Sequence, residues 1–334
     1  MDKTTLLNTM LQNRDKTLPI LTFPAIQMMN INVFDLISNA ENQAKAMILL
    51  SETYPMSAAQ SMMDLSVEAE AFGANVRFFD MDIPTISGSL LKTREDIENL
   101  KVPKVGTKRT SNYIEGIRLA KEMIKEKPVF AGCIGPFSLA GRLMDMTEIM
   151  VDCYLEPDMV HTALKKSSEF ITNYILALKA AGADGVIMAE PAAGLLSPKL
   201  CEEFSSEYIK KIIEAVSDNQ FVFGYHNCGN TVPLVKSIAG IDADFYHFGN
   251  AVDIEDMLKL MPSNKIIMGN LSPTDVFRKG TLETVRKATW ELLERCNKYP
   301  NFIISTGCDV PPMTSLDNIT MFFNTVIDFY KTNK

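Results

Sequence analysis

The sequence predicts a (β/α)8 barrel with an N-terminal extension, and three observations support that fold class. From about residue 115 onward, short apolar runs bounded by Gly, Pro or Asp alternate with helical patterns. Parallel strands covered on both faces read in this way. Polar side chains gather at the C-terminal ends of those runs, the face on which such a barrel builds its site. No GxGxxG or GxxxxGK[ST] occurs anywhere, which weighs against an open doubly wound sheet, the other fold that puts ligands at strand ends. The chain has 334 residues, 46% of them hydrophobic, with no repeat, low-complexity tract or linker. A single domain over 1–334 is expected.

Two strands are expected first, over residues 20–26 and 57–63, with an extra hairpin strand over 75–79 in an insertion. Residues 101–111 read as a polar surface connection. Six further strands follow, over 128–133, 185–189, 221–225, 244–248, 265–268 and 302–305. Helical patterns cover 113–125, 157–181, 198–216, 231–239, 254–261, 282–298 and 315–330.

A net charge of -8 and a pI near 5.1 speak against nucleic acid or an anionic membrane as partner, since both call for a basic face. No run approaches the length of a membrane span, and the polar start Met1-Asp2-Lys3-Thr4-Thr5 lacks a leader's apolar stretch. A cytoplasmic location is expected, and a homodimer is the assembly considered. Six scattered cysteines make no disulfide framework and leave thiols for metal binding. Most of the 20 methionines are expected to fill core gaps.

The chemistry is expected where strands end. His226-Asn227-Cys228 follows the run 221–225, and Cys308 follows 302–307. Residues i and i+2 of a strand share a face, so His226 and Cys228 project together, and Cys308 joins them if its strand is close. One imidazole and two thiolates make an open zinc site with a replaceable fourth position, unlike the paired CxxC of a structural finger. Glu190 is the candidate for that fourth position, and Asp309 for an acceptor beside the metal. The ordinary reading of Cys133, Cys153, Cys201, Cys296 and His161 is that they are core residues. His247 sits near the expected mouth and stays open between a core and a site role.

Gly135-Pro136-Phe137-Ser138-Leu139-Ala140-Gly141, Val67-Glu68-Ala69-Glu70-Ala71-Phe72-Gly73, Leu196-Ser197-Pro198, His226-Asn227-Cys228-Gly229 and Gly269-Asn270-Leu271-Ser272-Pro273 together resemble the uroporphyrinogen decarboxylase superfamily. More closely they resemble its cobamide-dependent methyltransferase branch, over about residues 23–329. In that branch His-x-Cys with a distant Cys holds zinc. True decarboxylases of the family open with an arginine-rich segment that grips the tetrapyrrole, whereas residues 23–30 here contain no arginine. The resemblance therefore implies Zn2+ on His226, Cys228 and Cys308, with Glu190 kept as the fourth-position candidate from its place at a strand end, and a corrinoid carried by a separate protein. Asp-x-His-x-x-Gly, the usual base-off corrinoid motif, is absent.

Asp64, Phe137, Arg142, Asn227, His247 and Asn270 are the candidates to contact substrate or corrinoid. Core packing is the competing role for Phe137, as it is for Met62, Met63 and Phe248. Arg142 would suit the sulfonate of a thiol such as coenzyme M. Methyl transfer could run from methyl-corrinoid to a thiol, or from a small methylated substrate, for example a methyl ether, to the corrinoid. The second direction is the one expected. Metal-free decarboxylation, a zinc hydrolase and a scaffold role are the alternatives weighed against it.

Overall fold

In the computed structural model, which describes residues 2–333, the strands in chain order are β1 (Ala59–Gln60), β2 (Val76–Arg77), β3 (Thr85–Ile86), β4 (Val129–Ile134), β5 (Gly185–Ala189), β6 (Val222–Asn227), β7 (Phe245–Phe248), β8 (Ile266–Leu271) and β9 (Phe302–Thr306). A seven-stranded sheet runs β1-β4-β5-β6-β7-β8-β9, every neighbouring pair parallel. β2 and β3 form the antiparallel hairpin expected near residues 75–79. The six continuously apolar runs became β4 to β9, and helices cross between them.

The expected strand over 20–26 does not form. Pro19 has no N–H to give a ladder, and Pro24 starts a helix, Ala25–Met29, that Asn30 ends in the left-handed region. The preceding extended segment, 17–22, still fills the gap between β1 and β9. Toward β1, Ser57 N donates to Thr17 O at 3.0 Å and Gln60 Nε2 to Pro19 O at 2.6 Å. Toward β9, Ser305 Oγ donates to Leu18 O at 2.8 Å, and Ile20 N to Thr306 Oγ1 at 3.1 Å. Side-chain hydrogen bonds and a few isolated backbone contacts thus close the barrel along this seam in place of a continuous ladder. The strand expected over 57–63 shortens to β1 for the same reason: it has a full ladder partner only in β4.

The helix expected over 198–216 is broken by a π turn, Glu202–Ser206, between Pro198–Cys201 and Glu207–Val216. That over 231–239 divides into a 3-10 turn, Val232–Leu234, and a short helix, Val235–Ala239. Pro233 lies in the first turn and supplies no amide.

Strand alternation sorts the side chains into two layers. Val222, Phe245, Ile266, Met268 and Ile303 point inward with Leu18 and Ile20 from the seam. Their neighbours Phe223, Tyr225, Tyr246, Phe248 and Ile304 face the helices in the larger outer cluster. The N-terminal helix Lys3–Gln12, capped by the Asp2 carboxylate, adds Leu6 and Met10 to the inner cluster. Lys3 ties it down, with Nζ 3.0 Å from Asp244 and its amide donating to Asn219 O. No helix among the described residues is long and apolar enough to cross a membrane.

Candidate metal centre

His226 is the inward residue two places above Gly224 on β6, and Cys228 leaves the strand end on the same parity. Cys308 follows β9 two residues after Thr306. One ligand atom from each of the three residues falls in a group whose members all lie within 4.8 Å of one another. Gly249 permits this approach, because a Cβ there would run into Cys228 Cα.

His226 is buried, and its Nε2 has no hydrogen-bond partner. An orphaned imidazole nitrogen beside two sulfurs is a costly arrangement unless something binds it. The two thiols are shifted in opposite directions. The Cys308 thiol and the His226 imidazole pull the Cys228 thiol down to about 4, while the same contact and burial hold Cys308 well above its usual value. The donor set, one imidazole and two sulfurs, fits zinc.

A model of the uroporphyrinogen decarboxylase (URO-D) family matches residues 18–329. The chain belongs to that family. Methylcobamide:CoM methyltransferase MtbA of Methanosarcina acetivorans is 28% identical over 260 residues, 77% of this chain and 75% of that protein. The protein of the same name from Methanosarcina mazei is 27% identical over 286 residues, 84% and 83% of the two chains. Uroporphyrinogen decarboxylase of Alcanivorax borkumensis is 22% identical over 313 residues, 88% of this chain and 85% of the other. A solved methyltransferase from Methanosarcina mazei superimposes with a TM-score of 0.85 at 21% identity, covering 97% of this chain and 99% of its own. That match bears out the barrel, and the MtbA relatives bear out the likeness to the methyltransferase branch.

Several strand-end residues of this URO-D family member do not stand where the sequence led us to expect. Glu190 is fully buried, with Oε2 accepting from Phe137 N at 2.9 Å and Oε1 from Ser138 N at 2.6 Å. Its carboxylate caps the helix Pro136–Met144 and is not one of the clustered ligand groups. Burial raises it to about 7 against those amides. Asn227, on the outward parity, donates to Glu190 O at 2.7 Å and accepts from Gly229 N at 2.8 Å. It shapes the turn that presents Cys228.

Asn270 donates to Gly249 O and Val252 O at 3.0 and 2.7 Å, bracing the loop after β7. Phe137 is fully buried in the outer core. Asp64 is enclosed by an ion pair with Arg109 Nη1, by Ser66 Oγ at 2.6 Å and by Tyr113 Oη at 3.1 Å. Its oxygens are therefore committed to the protein. His247 lies behind His226 instead of at the mouth, its Nδ1 2.9 Å from His226 Nδ1 and its Nε2 2.8 Å from Ser305 Oγ.

Two charged candidates remain without protein partners. Both Asp309 oxygens are buried and unbonded, and burial raises the carboxyl well above its usual range, with Asp64 adding to the effect. Arg142, half-buried on Pro136–Met144, makes no hydrogen bond or ion pair to another described residue. Burial lowers it, against the pull of Asp64 and Glu68. Ser305 and Arg109 were not singled out in the sequence. Ser305 had one signal available, since it occupies an inward position on β9 two places above Ile303.

Proposed function

We propose that this protein moves a methyl group between the cobalt of a corrinoid, presented by a separate protein, and a small thiol bound at His226, Cys228 and Cys308. The observation that carries this reading is the convergence of three ligand atoms within 4.8 Å, one of them the unpartnered His226 Nε2. Zinc, when bound there, supplies a Lewis acid that makes a thiol a thiolate at neutral pH.

The side chains supply the rest. Cys228 and Cys308 place two sulfurs at one point, where a bound zinc would also take the sulfur of the substrate. Asp309, next in sequence to Cys308 and without a hydrogen-bond partner, offers its carboxyl as a polar contact for the substrate. Arg142 offers its guanidinium to an anionic group on the same substrate. The apolar inner layer below keeps water from the site's floor. Between the two directions of transfer, the names of the MtbA relatives favour a thiol acceptor.

Elemental analysis of protein purified anaerobically, beside Cys308→Ala, tests the site. About one zinc per chain, lost in the variant, is expected. Methylcobalamin is then mixed with small thiols, with and without an anionic tail, and loss of the methyl-cobalt absorbance is followed. Zinc binding without demethylation of methylcobalamin by any thiol would overturn the direction. Absence of zinc would overturn the site.

A further inference from the structure

We infer that His247 and Ser305 are positioning residues that fix the tautomer of His226, holding its proton on Nδ1 so that Nε2 is left as a ligand atom. This inference rests on the metal reading above, and it follows from counting hydrogens along one chain of contacts inside the barrel. Leu18 O can only accept, and Ser305 Oγ lies 2.8 Å from it, so the single hydroxyl hydrogen goes there. Ser305 must then accept from His247 Nε2, also at 2.8 Å. His247 Nε2 therefore carries a proton, and its Nδ1 presents a lone pair to His226 Nδ1 at 2.9 Å.

The other end of the chain requires the same assignment. His226 Nδ1 lies 3.2 Å from the His247 carbonyl, which also can only accept. One hydrogen sits between the two imidazoles, and it belongs to His226. A free neutral imidazole of histidine favours the proton on Nε2, the tautomer that blocks this site, so the environment has to impose the other form.

The geometry supports a dedicated arrangement. His226 and His247 are register partners on β6 and β7, and Ser305 stands on β9. All three share the inward parity of Gly224, Phe245 and Ile303, the positions one step lower, none of which carries a polar side chain. Polar groups at these buried places cost stability unless bonded, and these bond one another in series. A ligand histidine whose second nitrogen is held in this way keeps both its orientation and its basicity.

The test uses His247→Phe, Ser305→Ala and the conservative His247→Gln, whose amide accepts at one atom and donates at the other. In metal-free wild type, nitrogen NMR of labelled histidine is expected to show His226 with the proton on Nδ1. His247→Phe leaves only the longer carbonyl contact. It should show both tautomers and weaken zinc by about 10- to 100-fold in chelator competition. His247→Gln should recover most of that loss, and the cobalt-substituted spectra should shift in the Phe variant and return in the Gln variant.

A wild-type His226 protonated on Nε2 overturns the inference. So does a folded His247→Phe that binds zinc as wild type does. If His247→Phe fails to fold, the wild-type tautomer and the Gln variant decide. Wild type that takes up no zinc while showing the Nδ1–H tautomer would defeat the metal reading and leave the assignment of the proton standing.

Discussion

With the Cys308 thiol donating toward Cys228, the metal-free pair is a thiol beside a thiolate at neutral pH. Metal uptake must therefore expel a proton from Cys308. Calorimetry of zinc binding near pH 7 in buffers of different ionisation enthalpy should register release of about one proton. Glu68 permits a second test. Burial, against the amide of Ile134, raises it from 4.5 to about 7, and its Oε2 has no partner. The folded protein then holds this proton more tightly than the unfolded chain. The contribution of this group to stability is greatest below pH 4.5, falls as pH rises to about 7, and is flat beyond. In metal-stripped protein Glu68→Gln should match wild type near pH 4.5 and exceed it at pH 8 by on the order of 2–3 kcal/mol in urea unfolding. A flat difference would contradict the shift. The clustering of His226, Cys228 and Cys308 was legible because soft donors at two strand ends have few other uses. The bonds that Glu190, Asn227, Asp64 and Asn270 make were not legible, because nothing in a residue's type reveals that nearby backbone amides, carbonyls or an arginine will take them up.

The strands whose sequences read as unbroken apolar runs formed as expected, since β4 to β9 are buried on both faces and have no other place to put such residues. Elements interrupted by proline were less legible: 20–26 and 231–239 each contain one and change form there, whereas 198–216 changes form at a π turn beyond its proline. Gly249 shows how an element boundary serves the site. It lies just beyond β7 and its amide donates to Asn227 O at 3.0 Å, next to Cys228. A methyl group at this position meets Cys228 Cα and Cβ. Gly249→Ala should therefore push the β6 turn outward, weakening zinc by about tenfold or more, and destabilise the fold by about 1–3 kcal/mol. Unchanged zinc affinity in this variant would show that the β6 turn yields freely.

At the scale of the whole molecule, the barrel was legible in the sequence, but the way it closes was not. Seven strands share a ladder, and the segment 17–22 completes the ring through Thr17, Gln60, Ser305 and Thr306 side chains. Hydrogen exchange should open this seam before β5 or β6, and zinc should slow exchange at residues 18–22, because Leu18 O is the last acceptor in the series that reaches His226. Equal protection of the seam and the central strands, with or without metal, would contradict that picture. The same series has a consequence for proton traffic. It stops at a carbonyl, which has no hydrogen to pass on, and that carbonyl belongs to a residue packed in the apolar cluster with Leu6 and Met10. Such a line orients charge without conducting it. A proton expelled at the sulfurs therefore does not travel down this line into the barrel, and the histidines behind the site hold geometry while proton release is left to the sulfur side.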